Sequence, residues 1–183
     1  MKYLFISLFL AFFASITIAQ ETFKVDLSNR APDVQSLVMA YEGTSSIPFQ
    51  AKDVQGKDYA LMDMKGKTVM LWFWTNDCIK CHEQIDALNL LAAKYPDNLQ
   101  IVSFSNNTKE EVIAFTSSRP VDFPVIPNSE TLSEGPYGGD LGYPKIFILD
   151  QTGKIKWVVP EMEMQNNFNA FQFLETLHVS LHL

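Results

Sequence analysis

The chain predicts an α/β fold: a mixed central sheet flanked by helices, with a β-hairpin extension on its N-terminal side. Three observations predict it. Thr68 to Trp74 is apolar without alternation, as expected of a strand covered on both faces. Beyond it the order runs strand, helix, strand, helix, then strand, strand, helix. Before it, two short extended segments flank a Gly-containing turn, which is a hairpin signal.

The elements follow in order. Residues 20–46 lack a clean period and contain Ala31-Pro32-Asp33 and Gly43-Thr44-Ser45-Ser46, so they read as an irregular arm. Phe49 to Asp53 and Asp58 to Leu61 form the hairpin around Val54-Gln55-Gly56-Lys57. Met62 to Lys65 reads as one helical turn ending at Gly66. A helix is predicted from Cys78 to Tyr95, because Ile85, Leu88, Leu91 and Ala92 recur at helical spacing before Pro96-Asp97-Asn98. Leu99 to Ser105 is the next strand. Thr108 and Glu111 make a capping box for a helix through Ser117. Val121 to Ile126 suits an edge strand, given Pro124 and Pro127. Glu130 to Asp140 reads as loop. Lys145 to Asp150 and Lys154 to Val159 pair across Gln151-Thr152-Gly153, and Asn167 to His178 closes the domain as a helix.

At 183 residues the chain holds one domain, placed at 47–183, behind the arm and a targeting segment. Residues 1–19 read as a secretory signal: Lys2, an apolar run from Leu4 to Ala14 broken only by Ser7, then Thr17-Ile18-Ala19 before a cleavage point. An uncleaved N-terminal anchor is the alternative, although the run is short for a spanning helix. The expected location is therefore exported and periplasmic, either soluble or N-terminally tethered. No cysteine follows the signal, which excludes a bacterial lipoprotein anchor. Fourteen basic and 21 acidic side chains give a net charge of -7, and no basic cluster is present. Nucleic acid is excluded as a partner on that ground.

The only two cysteines are Cys78 and Cys81, two residues apart, just past the apolar strand. A C-x-x-C at a helix start places both sulfurs at the positive end of the helix dipole, which favours thiolate. A disulfide across so small a loop adds little stability by the entropic account, which favours a redox role over a structural staple. Cys78 is the expected attacking thiol and Cys81 the resolving one. Asp77, Lys80 and Glu83 are candidate modulators: Asp77 opposes a thiolate, Lys80 favours it, and Glu83 could assist proton transfer.

Other chemistries share these residues. Cys78-x-x-Cys81-His82 spells the c-type haem attachment signature, with Met162 or Met164 available as a distal ligand. Thr75-x-x-Cys78 resembles the peroxidatic motif of peroxiredoxins, with Leu71 in place of their proline and no partner arginine nearby. Cys78, Cys81 and His82 could also hold copper or zinc, but a fourth ligand is not evident. His178 and His182 lie four apart and read as surface histidines.

Gly66-Lys67 before the apolar strand, Phe73-Trp74, Cys78-Ile79-Lys80-Cys81, Tyr143-Pro144, and Phe147-Ile148-Leu149-Asp150 with Gln151-Thr152-Gly153-Lys154 occur in one order. In this the chain resembles the thioredoxin superfamily, in its exported TlpA/ResA-like branch, over residues 47–178. The resemblance implies a thioredoxin fold and a thiol–disulfide oxidoreductase, in the reducing direction, acting on envelope proteins such as apocytochrome c. It implies protein thiol or disulfide substrates, a membrane dithiol as electron donor, and no cofactor beyond the Cys78–Cys81 disulfide. It also implies a cis peptide before Pro144, with Trp74, Tyr143 and Pro144 contacting the substrate. The chain departs from the pattern at Asp77 (usually Trp), at Ile79-Lys80 (usually Gly-Pro or Glu-Pro), at Gln84 (often Glu) and at Asp86 (often Pro). Trp72 stands where thioredoxins carry a buried acid.

Overall fold

The computed structural model describes residues 30–164. The expected signal at 1–19, the closing helix Asn167 to His178, and His178 and His182 lie outside the described residues.

The chain enters through helix α1 (Pro32–Val38), not through an irregular arm. Pro32 begins the helix, where its missing N–H costs nothing and its fixed φ suits the first turn. Val34 and Val38, one turn apart, bury the inner face. Arg30 ties this entry to the far side of the domain. Its guanidinium ion-pairs with Glu42 and Glu163 and donates to the Val158 carbonyl.

Strands β1 (Gln50–Lys52) and β2 (Asp58–Ala60) form the expected antiparallel hairpin. A 3₁₀ turn (Leu61–Met64) then leads to β3 (Thr68–Trp74), every residue of which is buried. Helix α2 (Ile79–Lys94), strand β4 (Leu99–Ser105) and helix α3 (Lys109–Ser118) follow as the periodicity predicts. In α3 both halves of the Thr108–Glu111 capping box are made. The expected edge strand shrinks to β5 (Val125–Ile126), because Pro124 brings no N–H to the ladder. The expected 130–140 loop contains helix α4 (Glu130–Glu134) and a 3₁₀ turn (Gly139–Leu141). Burial of Tyr137 and Leu141 holds this segment against the sheet, which local propensity alone would not do. Strands β6 (Lys145–Leu149) and β7 (Ile155–Val159), and a 3₁₀ turn (Glu161–Met164), complete the described chain.

The sheet order is β5-β4-β3-β6-β7. β3 pairs parallel with β4 and antiparallel with β6, and β7 runs antiparallel to β6. Both faces are packed. Trp72, Trp74, Ile85, Leu88 and Val112 fill the side facing α2 and α3. Phe73, Phe104, Tyr137, Phe147 and Val38 fill the other. The register sets Phe73 opposite Lys145, so Tyr143-Pro144 lies just beyond the end of β3 that delivers the cysteines.

Candidate active site

The apolar core fixes β3, and β3 aims its C-terminal loop out of the sheet. Cys78 caps α2 with extended backbone angles, and its Sγ accepts the backbone N–H of Cys81 at 3.1 Å. Cys78 is partly exposed and Cys81 fully buried. The two sulfurs are bonded to each other at 2.04 Å. The helix tip therefore contributes a donor aimed at the outer sulfur.

Asp77 is exposed, and its carboxylate accepts from Thr75 Oγ1 at 2.5 Å. That bond first, then backbone donation and His82, hold its carboxyl below the usual carboxylate range. It stays anionic beside Cys78. The Lys80 ammonium pairs with Glu161. Glu83 is exposed and stands outside the buried face formed by Cys81, Gln84, Ile85, Leu88 and Leu91.

The wall behind Cys81 is neutral. Trp72 and Trp74 stack with ring centroids 5.3 Å apart. Trp72 Nε1 donates to Gln84 Oε1 at 3.0 Å, and Gln84 Nε2 reaches Met164 Sδ at 3.1 Å. Trp74 is completely buried, and its Nε1 has no hydrogen-bond partner among the described residues. Its indole packs with Cys81 in the core and does not lie open to a substrate.

Two polar loops brace the dithiol loop. Asn76 N–H donates to Asn107 Oδ1 at 2.7 Å, and Asn76 Nδ2 donates to the Glu111 carbonyl at 3.1 Å. His82 Nε2 bonds the Asn76 carbonyl at 2.8 Å, and its ring rests on Phe115. The haem and metal readings draw on those same sulfurs and on His82 Nε2.

The Tyr143–Pro144 peptide is cis. The Tyr143 hydroxyl meets Asn106 Nδ2 at 2.8 Å and Ser133 Oγ at 2.6 Å, and donates to Glu134. Burial, then the Glu134 bond, push its phenol up to about 12. Gly142 before it takes φ 69° and ψ −168°, and a Cβ there would sit 2.8 Å from Glu161 Cβ. Glu161 thus touches both the C-x-x-C segment, through Lys80, and the cis-proline loop. Sequence reading missed Asn76, Asn106, Asn107, Lys145 and Glu161. Only the Asn106-Asn107 pair, just ahead of a capping box, carried a local hint.

A thioredoxin-like fold with a closed Cys78–Cys81 disulfide at a helix tip and a cis-proline beside it defines a thiol–disulfide oxidoreductase, whose reactants are thiols and disulfides. Residues 43–158 match the AhpC/TSA family, and the chain belongs to it. It is 29% identical over 119 residues to the thioredoxin-like protein YneN of Bacillus subtilis, covering 63% of this chain and 69% of that one. It is 32% identical over 116 residues to the thiol-disulfide oxidoreductase ResA of Bacillus cereus, covering 62% and 66%. The chain thus spans about two thirds of the length of these relatives. A crystal structure of a putative thiol:disulfide interchange protein DsbE from Chlorobium tepidum superposes with a TM-score of 0.63 at 23% identity, covering 74% of this chain and 97% of that one. No helix among the described residues is long and apolar enough to cross a membrane.

Proposed function

We propose that the protein is an exported disulfide reductase of envelope proteins, with Cys78 as nucleophile and Cys81 as resolving thiol. The observation that carries this reading is the asymmetry of the pair. One sulfur is partly exposed and accepts a helix N–H, while the other is buried. In the reduced protein the Cys78 thiolate attacks a substrate disulfide. A Cys78–substrate bond forms, the substrate S–S bond breaks, and one substrate sulfur leaves as thiolate. Cys81 then attacks Cys78 Sγ, closing the internal disulfide and expelling the second substrate thiolate. Two electrons pass to the substrate, and the protons from the two cysteine thiols end on its thiols. A dithiol donor at the membrane reverses the cycle, and no other cofactor takes part. Tyr143 and Pro144 offer the edge on which the substrate chain lies, as a local strand addition. The apolar run before Thr17-Ile18-Ala19 supports export.

The experiment is a trap. Reduced Cys81→Ser, mixed with intact disulfide-bonded insulin, should accumulate a mixed disulfide through Cys78, and Cys78→Ser should not. Failure to trap overturns the order of attack. A reduction potential well below about −200 mV supports the reducing direction, and one near about −120 mV overturns it. Turnover of peroxide faster than of insulin would favour the peroxidase reading instead.

A further inference from the structure

The first residue of β6 is Lys145, and none of its surface is exposed. Burying an ammonium is costly unless its protons find partners. Its Nζ donates to the Ser133 carbonyl at 2.7 Å and the Gly138 carbonyl at 2.5 Å. It lies 4.7 Å from the Tyr143 ring centroid and 5.7 Å from that of Phe73. The carboxylates of Glu134 and Asp140 act on it through space. A cation held by carbonyls and ring faces is a poor device for stability alone.

The placement of those partners gives it a role. Ser133 and Gly138 bracket the turn between α4 and the 3₁₀ turn 139–141, so one cation crosslinks both sides of the segment that ends at Tyr143-Pro144. Ser133 itself is held twice, since its hydroxyl donates to Asn106 Oδ1 at 2.7 Å and meets the Tyr143 hydroxyl. We propose that Lys145 is a positioning residue whose ammonium fixes the 133–143 segment and the Tyr143 ring in the arrangement that docks a protein substrate beside the dithiol, making docking depend on its proton. The inference rests on the reading of the chain as a reductase of protein disulfides.

The chemistry supplies a pH window. Burial lowers the Lys145 amine to about 8, with Glu134 and Asp140 partly offsetting it. Among the described residues, the titratable groups that act on it or line the 133–143 segment it holds are Glu134, Asp140, Tyr41, Tyr137 and Tyr143. Burial raises all three phenols, so they titrate above the lysine. As pH rises through about 8 the charge on the two carbonyls and the Tyr143 ring is lost.

The test uses the purified full chain, with dithiothreitol as donor and fluorescently labelled insulin as substrate, from about pH 7 to about pH 9.5. The KM for insulin should rise several-fold across about pH 8, with kcat following the thiol chemistry. Lys145→Met should raise the KM at pH 7 about tenfold and abolish the pH-dependent rise. Glu134→Gln removes a charge that supports the ammonium, so the rise should begin at lower pH. Lys145→Met with wild-type KM, or a KM flat across the range in wild type, overturns the proposal. If Lys145→Met does not fold, the wild-type profile and its shift in Glu134→Gln decide. A wild-type protein that never turns over insulin refutes the reductase reading instead.

Discussion

Gln84→Met tests the neutral wall behind the dithiol. In the native protein Trp72 Nε1, on a fully buried ring, donates to Gln84 Oε1 at 3.0 Å. Methionine fills a similar volume but offers the indole only a weak acceptor. The substitution therefore strands a buried N–H beside Trp74, whose own Nε1 already has no partner among the described residues. Leaving one buried donor unmet costs about 1–3 kcal/mol. For a chain of this length that is a fall of about 4–8 °C in the thermal midpoint at the middle of the range. The assay is thermal unfolding of the oxidised protein, for Gln84→Met, Trp72→Phe and the double variant. Phe at 72 removes the donor, so Gln84→Met should cost much less in that background. The coupling energy should be about 1–2 kcal/mol. A coupling under about 0.5 kcal/mol would show that the buried amide does not serve the indole, and the reasoning about this wall would fail.

Three further outcomes follow from the same geometry. Asp77→Asn removes a carboxylate that stays ionised beside Cys78, so alkylation of Cys78 in the reduced protein should quicken about two- to threefold at neutral pH; slower alkylation would contradict this. Lys145 has a folded titration point of about 8, below its unfolded value of about 10.4, so between those points the unfolded chain binds the extra proton and stability rises with pH. The gain over the whole window is at most about 3 kcal/mol; denaturant midpoints between about pH 8 and 9.5 should climb in wild type but not in Lys145→Met, and parallel slopes would exclude the lysine as the cause. Gly142→Ala forces a Cβ into a backbone region that is essentially reserved for glycine and against Glu161. It should cost about 1–3 kcal/mol in denaturant unfolding, and a neutral result would mean that the loop gives way freely.

The strands Thr68–Trp74 and Leu99–Ser105 were legible to the residue, the first as a continuous apolar run and the second as a short apolar-rich segment bounded by the turns at Pro96-Asp97-Asn98 and Asn106-Asn107. The capping box of α3 was legible because both of its partners lie within one turn. α1 was lost because Pro32 read as a breaker when it begins the helix, and Val34 and Val38 alone are too few to set a period. α4 was lost to the weight of Gly135, Gly138 and Gly139. Its five residues stand on the burial of Tyr137, whose hydroxyl bonds the Ile47 carbonyl 90 positions away.

The site divides along the same line. The two sulfurs are close because only two residues, in the first turn of α2, lie between them, so spacing alone brought them together. What surrounds them is assembled over long separations. Trp72 finds Gln84 twelve residues on, Asn76 finds Asn107, Asn106 finds Tyr143, and Lys80 finds Glu161. The chemistry of the dithiol is therefore local and readable, while the polar and aromatic contacts that brace it are tertiary. Lys145 is the sharpest instance. In sequence it opens a strand, a position where a lysine ordinarily faces water. Only when the 133–138 turn folds over it do two carbonyls and two rings replace that water, and a surface-type residue becomes a buried cation.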